Sequence, residues 1–164
     1  MAILPILQFP DPRLRTVGQK VTHIDEVFHR QVQDMYETMY DSKGVGLAAT
    51  QVNIHQQFFV MDISDRHDQP ACVINPEILH QEGVQYEGEG CLSVANAYDK
   101  IERAAKLRVK YMTLDGKFLE IEAEGLLAIC FQHEMDHLNG ILFIDHLSRL
   151  KQQRIKEKIV KSKR

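Results

Sequence analysis

His133, Glu134 and His137 constrain the fold more tightly than any other feature of this chain. They stand in Gln132-His133-Glu134-Met135-Asp136-His137, a run that reads H-E-x-x-H. Residues four apart lie one above the other on a single helical face, so the two imidazoles can grip one metal ion when this stretch is a helix. Glu134 would then lie beside the open coordination position, where a water loses its proton. The pattern fixes only three positions, and by itself it also describes an amphipathic helix with two surface histidines.

The flanking sequence supports a helix. From Glu124 the apolar and histidine positions Leu126, Leu127, Ile129, Cys130, His133, His137 and Leu138 recur at helical spacing, and Gly140 stands where a left-handed cap belongs. On so apolar a face the histidines would be buried, and a buried imidazole needs a partner for each nitrogen. A metal provides one; hydrogen bonds inside a core are the alternative.

Catalytic sites of the zinc type take three protein ligands and leave the fourth position to water. There are three cysteines, Cys72, Cys91 and Cys130. Cys130 is seven residues from His137, about 10.5 Å along a helix at about 1.5 Å per residue, too far to share one ion. Cys72 lies in Ala71-Cys72-Val73-Ile74-Asn75-Pro76, which reads as a short buried strand where a thiol is packing. Cys91, in Glu89-Gly90-Cys91-Leu92-Ser93, follows a glycine-rich stretch whose backbone can approach closely. It is the third ligand this reading selects.

A further segment, Gly44-Val45-Gly46-Leu47-Ala48-Ala49-Thr50-Gln51, leaves its backbone uncovered, so N–H groups can reach a bound carbonyl. Gln51 adds an amide donor suited to a developing oxyanion. No phosphate-loop lysine follows, and a tight turn into a buried strand would read the same way.

Together, Gly44–Gln51, Glu89–Ser93 and Gln132–Leu138 resemble the three signature motifs of the peptide deformylase family. The resemblance extends to Phe9–Arg15, the run through Met39-Tyr40, and Glu124–Gly140. It implies removal of the formyl group from the N-terminal formyl-methionine of nascent polypeptides, with release of formate. Cys91, His133 and His137 would hold one divalent ion, by family ferrous iron in the cell, with zinc, nickel or cobalt possible in preparations. Glu134 would take the proton of the attacking water and pass it to the departing amine. Gln51 and the N–H of Leu92 would stabilise the oxyanion. Val45, Leu126, Ile129 and Cys130 would line an apolar pocket for the methionine, and Gly46 would hold substrate backbone.

The chain departs from the family just after the second motif. A proline common two residues after Ser93 is replaced by Ala95, followed by Asn96. Tyr98 stands where many members are basic, and Glu102 near a common proline, before a matching Arg103. Proline fixes φ, so this stretch is less pre-set in shape. The departures bear on the wall of the cleft, and hence on which second and third substrate residues are preferred.

Organisation reads as α+β: antiparallel or mixed sheets packed around a central H-E-x-x-H helix, with an N-terminal and a C-terminal helix. Asp25–Asp41 shows helical spacing through Val27, Phe28, Val32, Met35 and Met39. Gln57–Asp62 and Ala71–Asn75 read as strands, and Lys106–Leu114 with Phe118–Ala123 as a hairpin about Asp115-Gly116. At 164 residues one catalytic domain, 1–164, is expected, burying roughly two-thirds of its unfolded surface. No apolar run approaches the ~18 residues a membrane span needs, and Met1-Ala2-Ile3-Leu4-Pro5 has no charged n-region of a signal peptide. Three cysteines, one a ligand, make no disulfide framework and imply a reducing compartment. A cytoplasmic monomer that binds no membrane is the expectation.

Residues 147–164 hold eight Lys or Arg (Arg149, Lys151, Arg154, Lys156, Lys158, Lys161, Lys163 and Arg164) against one acid, Glu157. That is +7, leaving −10 on the remainder for a total of −3. A basic helix on an acidic body suits a polyanion, and family members with this helix can dock beside the ribosomal exit tunnel. A solvated helix with Leu150, Ile155 and Ile159 against the body is the plainer reading. Two other functions remain open: a small metallopeptidase using the same activated water, or a catalytically retired ribosome-binding protein. An intact Glu134 argues against the second, and the Gly44 motif with a cysteine ligand against the first.

Overall fold

The computed structural model describes residues 2–162. Lys163 and Arg164, counted above with the basic tail, lie outside the described residues. The helix around His133 and His137 is α2 (Gly125–Leu138), and the N-terminal helix is α1 (Glu26–Asp41). Asp25 caps α1, its carboxylate accepting from the Phe28 N–H as an N-cap side chain should. Between them run β1 (Gly46–Ala48), β2 (Phe58–Met61), β3 (Ala71–Glu82), β4 (Gln85–Cys91), β5 (Val94–Arg103), β6 (Lys106–Met112) and β7 (Phe118–Glu124), and α3 (Arg149–Ser162) follows α2. Strands β1-β2-β3-β6-β7 form one sheet in that order, and β4-β5 pair separately. Every ladder is antiparallel, which gives the α+β architecture expected.

Alternation in two central strands divides the core. Phe58, Val60, Cys72 and Ile74 turn one way and pack with Phe28, Val32, Met35 and Met39 of α1. Phe59, Met61 and Val73 turn the other way, toward Ala128, Cys130, Phe131 and Leu138 of α2. The two-residue period of β2 and β3 therefore places a helix on each face of the sheet. Phe131 anchors the α2 side edge-on to Phe59, ring centroids 5.4 Å apart. A third cluster joins Leu7, Phe9 and Leu14 to Val94 and Ile101 of β5 and to Leu142, Phe143 and Ile144 beyond α2. It fastens the β4-β5 hairpin to the end of α2, and that is what brings Cys91 to the histidines.

The structure corrects several local expectations. Val27, Leu126 and Leu150 are exposed rather than core-facing. Strand β3 does not stop at Asn75 but runs on to Glu82. Asn75 adopts φ +52 and its amide exchanges two 2.9 Å hydrogen bonds with the backbone of Val21. The ladder shifts register there, and a bulge tolerates the proline that follows. The β4-β5 hairpin was not expected at all, because its glycines and charges carry little strand propensity. Ile155 and Ile159 do pack against the third cluster. No helix among the described residues is long and apolar enough to cross a membrane.

Gly140 ends α2 with φ +76, and a Cβ there would stand 2.5 Å from the Arg15 carbonyl oxygen. Gly116 has a similar φ of +79 but open space around it. Gly140→Ala should therefore cost about 2–3 kcal/mol and Gly116→Ala about 1 kcal/mol or less, read as denaturation midpoints at unchanged m. Equal losses would mean that backbone strain alone, not the close approach of Arg15, governs Gly140.

Candidate metal centre and substrate cleft

His133 and His137 lie one turn apart on α2, and Cys91 ends β4 and faces them. The His137 Nε2 stands 3.1 Å from Cys91 Sγ and 3.2 Å from His133 Nε2. All three donor atoms fall within 4.8 Å of one another. Tetrahedral ligands at about 2.05 Å from an ion would be about 3.3 Å apart, so the spacing fits a cation. The donor chemistry fits as well, since a thiol and two ring nitrogens converge with no carboxylate or backbone acceptor between them. Cys130, excluded above on distance, is not among the converging donors.

Neighbouring residues position the three donors, although His137 Nδ1 itself has no hydrogen-bond partner among the described residues. His133 Nδ1 bonds Glu89 Oε1 at 2.8 Å, which directs its Nε2 inward. Arg103 grips Glu89 with two 2.9 Å bonds and reaches Asp136 Oδ2 at 2.7 Å; Asp136 also meets His146 Nε2 at 2.9 Å. Burial works against a charged Glu89, but the Arg103 and His133 bonds outweigh it and hold the carboxyl at about 2. Ser93 N–H points at Cys91 Sγ from 3.4 Å. Thr50 Oγ1 donates to the His137 carbonyl at 2.9 Å, tying the Gly44–Gln51 segment to α2. Glu89, Ser93, Thr50, Arg103, Asp136 and His146 were not singled out from the sequence. The signals available were Glu89 within the second motif and Arg103 as a matched family position.

Protonation at the two imidazoles diverges. Burial and the neighbouring His133 push His137 well below its ordinary value, leaving it neutral. At His133 burial also opposes charge, yet Glu134, Cys91 and Glu89 pull it well above. The surplus of negative groups that favours a proton at this point equally favours a divalent cation.

Glu134 is buried beside this cluster, and burial pushes its carboxyl up to about 7 although His133 opposes the rise. Such a value suits proton exchange near neutral pH. Gly46 of β1 is what allows the approach: a Cβ there would lie 2.6 Å from Glu134 Oε2 and 3.2 Å from Cys130 Sγ. Gln51, 1% exposed, accepts from the Ala48 N–H at 2.9 Å. Its amide nitrogen donates to Ser93 Oγ at 2.9 Å and stands 3.6 Å from Cys91 Sγ. Leu92 lies in the two-residue turn between β4 and β5.

These residues share one cleft of about 390 Å³, lined by Val45, Gly46, Gln51, Cys91, Leu92, Leu126, Ile129, Cys130, His133 and Glu134, with Lys43, Gly88 and Gly90 at its margins. Cys130 is buried and Ile129 half-buried, whereas Val45 and Leu126 are exposed, so an apolar strip runs from the interior of the cleft to its exposed end. His137 is the one expected site residue that does not line it; it stands behind with only its Nε2 directed inward. The divergent segment lies differently from expectation. Ala95–Ala97 bulge out of the hairpin where Gly90 pairs with Tyr98 and Cys91 with Val94. The Asn96 carbonyl accepts from Lys158 of α3, and Glu102 lines a separate cavity behind α2. Tyr98 lies against Gly88, which lines the cleft, its phenol occupying the space a Cβ on Gly88 would need.

The family model for polypeptide deformylase matches residues 3–153. The chain is 53% identical to the peptide deformylase of Chromobacterium violaceum over 161 residues, 98% of this chain and 96% of that one. It is 55% identical to peptide deformylase 1 of Pseudomonas syringae pv. tomato over 163 residues, with 98% and 96% covered. Among solved structures, a peptide deformylase from Legionella pneumophila superposes with TM-score 0.95 at 46% identity, covering 99% of this chain and 96% of that one. The peptide deformylase from Ehrlichia chaffeensis in complex with actinonin gives 0.95 at 38%, with 100% and 99% covered. Sequence, fold and the convergence of Cys91, His133 and His137 beside Glu134 agree: this chain belongs to the peptide deformylase family.

Proposed function

We propose that the chain hydrolyses the N-terminal formyl-methionine amide of nascent polypeptides, releasing formate, with Cys91, His133 and His137 holding one divalent ion. The observation that carries this reading is the meeting of those three donor atoms with the buried Glu134 at the base of one apolar cleft. A bound ion supplies Lewis acidity toward the attacking water and the formyl oxygen. Ferrous iron is the ion proposed in the cell; the thiolate and imidazole donors also accept zinc, nickel and cobalt.

Glu134 takes a proton from the water and delivers it to the departing amine, and its raised proton affinity serves both directions. Gln51 and the Leu92 N–H flank Cys91 and supply donors for the oxyanion; the Gln51 amide is pre-set by Ala48 and Ser93. The methionine side chain enters between Val45, Leu126, Ile129 and Cys130, while Gly46 leaves room for the substrate backbone beside Glu134. A single copy carries every ligand and both cleft walls, which supports a monomer acting as one catalytic unit over 1–164. The helix expected at about 147–164 corresponds to α3. Its exposed Arg154, Lys156 and Lys161 support docking to ribosomal RNA at the exit tunnel, and hence a cytoplasmic location.

Formate release from formyl-Met-Ala-Ser by anaerobically prepared, iron-loaded protein tests the activity. Glu134→Ala should lower kcat by about 10²–10⁴-fold while metal content stays near one per chain; loss of the metal instead would make Glu134 structural. Glu89→Gln should weaken metal affinity by about 10–100-fold, measured by competition with a chelator, and an unchanged affinity would remove the Glu89–His133 bond from the account. For the tail, Arg154→Glu, Lys156→Glu and Lys161→Glu together should abolish salt-sensitive co-sedimentation with ribosomes and leave peptide turnover intact. Persistent co-sedimentation would sink the docking reading.

A further inference from the structure

One charged side chain at the cleft has no part in the chemistry above. Glu89 is held by Arg103 and His133, and Glu134 sits at the reacting end. Lys43 remains at the mouth with Gly44 and Val45. Its ammonium forms no ion pair or hydrogen bond among the described residues.

The backbone fixes where this lysine stands. It closes α1: the Lys43 N–H donates to the Tyr40 carbonyl at 3.0 Å and the Gly44 N–H to the Met39 carbonyl at 3.0 Å. Lys43 itself adopts φ +58, the left-handed conformation in which glycine is the unstrained choice at a helix end. The turn that starts β1 thus carries a cation to the rim. The two carboxylates that line the cleft, Glu89 and Glu134, are both buried, and Glu89 is already paired with Arg103. Gly88 and Gly90 contribute no side chains, Tyr98 covers Gly88 with a neutral ring, and Val45, Leu126 and Ile129 are apolar. The nearby Asp62 is already engaged by Tyr40, Ser64 and Gln69.

We propose that Lys43 is a specificity-determining residue, favouring formylated peptides with an acidic side chain among the residues that follow methionine and disfavouring basic ones. This rests on the deformylation reading: with the methionine at the apolar base, the following residues leave past the mouth. Lys43 does not touch the reacting atoms and acts on the stretch of substrate beyond them. An exposed pair of unit charges is worth a factor of a few, so exchanging an acid for a base in the substrate spans about three- to tenfold at low salt. Screening contracts that range as the Debye length falls from about 10 Å at 0.1 M to about 3 Å at 1 M salt.

The test measures kcat/KM of the metal-loaded full chain on C-terminally amidated formyl-Met peptides. Asp, Ser or Lys is placed in turn at the second, third and fourth residue of an otherwise Ala/Ser peptide. The wild type should prefer Asp over Lys by about three- to tenfold at one or more of these positions, and less in 1 M NaCl. Lys43→Gln should bring the Asp/Lys ratio near one, and Lys43→Glu should invert it. The same ratio in all three proteins, or a wild-type ratio of one throughout, overturns the proposal, as a purely structural lysine capping α1 would give. Failure of the wild type on the all-neutral peptide would instead overturn the deformylation reading on which the proposal rests.

Discussion

The hydrogen-bonded ion pair between Glu89 and Arg103 is the interaction on which the rest of this structure depends. Both side chains are nearly sealed from water, at 4% and 5% exposure, so each has lost its hydration and must recover it from the other. Such pairs contribute little net stability against an apolar replacement, yet removing one partner costs about 3–5 kcal/mol. What the pair provides is geometry. Glu89 pairs with Asp99 and Arg103 with Gln85 across the β4-β5 hairpin, so the ion pair runs diagonally over the ladder, and Arg103 extends the link to Asp136 while Glu89 extends it to His133. The hairpin has no ladder to the five-stranded sheet, so this network and the third apolar cluster hold Cys91 against α2.

That arrangement explains why the donor atoms can meet. Two histidines four residues apart on a helix are close by local geometry alone. The third donor comes from a separate two-stranded unit, and a slip of one residue would turn Cys91 to the opposite face. Bidentate bonds from a planar guanidinium tolerate little slippage, and Phe143 stacks beside His133 with centroids 6.2 Å apart. Register in the hairpin and ring orientation at His133 are therefore set by the same small group of residues.

Much of this was legible in the chain. The H-E-x-x-H spacing and the Gly140 stop placed α2 to within a residue or so, because a 3.6-residue period over four turns is a strong signal. The Asp115-Gly116 turn did the same for β6 and β7. The β4-β5 hairpin was not legible: Gly88 and Gly90 erase one side of its alternation, and the three-residue bulge at Ala95–Ala97 breaks the rest. The continuation of β3 past Pro76 was hidden for a related reason, since it depends on Asn75 bonding to Val21, 54 residues away. At the site, Cys91, His133 and His137 are legible from residue type and spacing, whereas the apolar positions Val45, Leu126, Ile129 and Cys130 are legible only through the family resemblance. Glu89 and Arg103 were present in the motifs but had no role until their long-range pairing was visible.

The glycines of β1 and β4 show how closely cleft shape and chemistry are bound together. Gly46 is required because Glu134 occupies the volume a side chain would need, so bare backbone and a buried carboxylate are brought to the same strand edge. Opposite, Gly88 and Gly90 leave the wall as bare backbone, softened only by Tyr98. A cleft whose walls are stripped of side chains in this way reads peptide sequence weakly, and recognition falls to the few side chains that remain. Toward the interior those include the apolar Ile129 and Cys130, which suit an unbranched apolar side chain. At the exposed end the charge that remains unpaired among the described residues is Lys43, so any discrimination that the proposed reading assigns to this end acts through electrostatics rather than through shape.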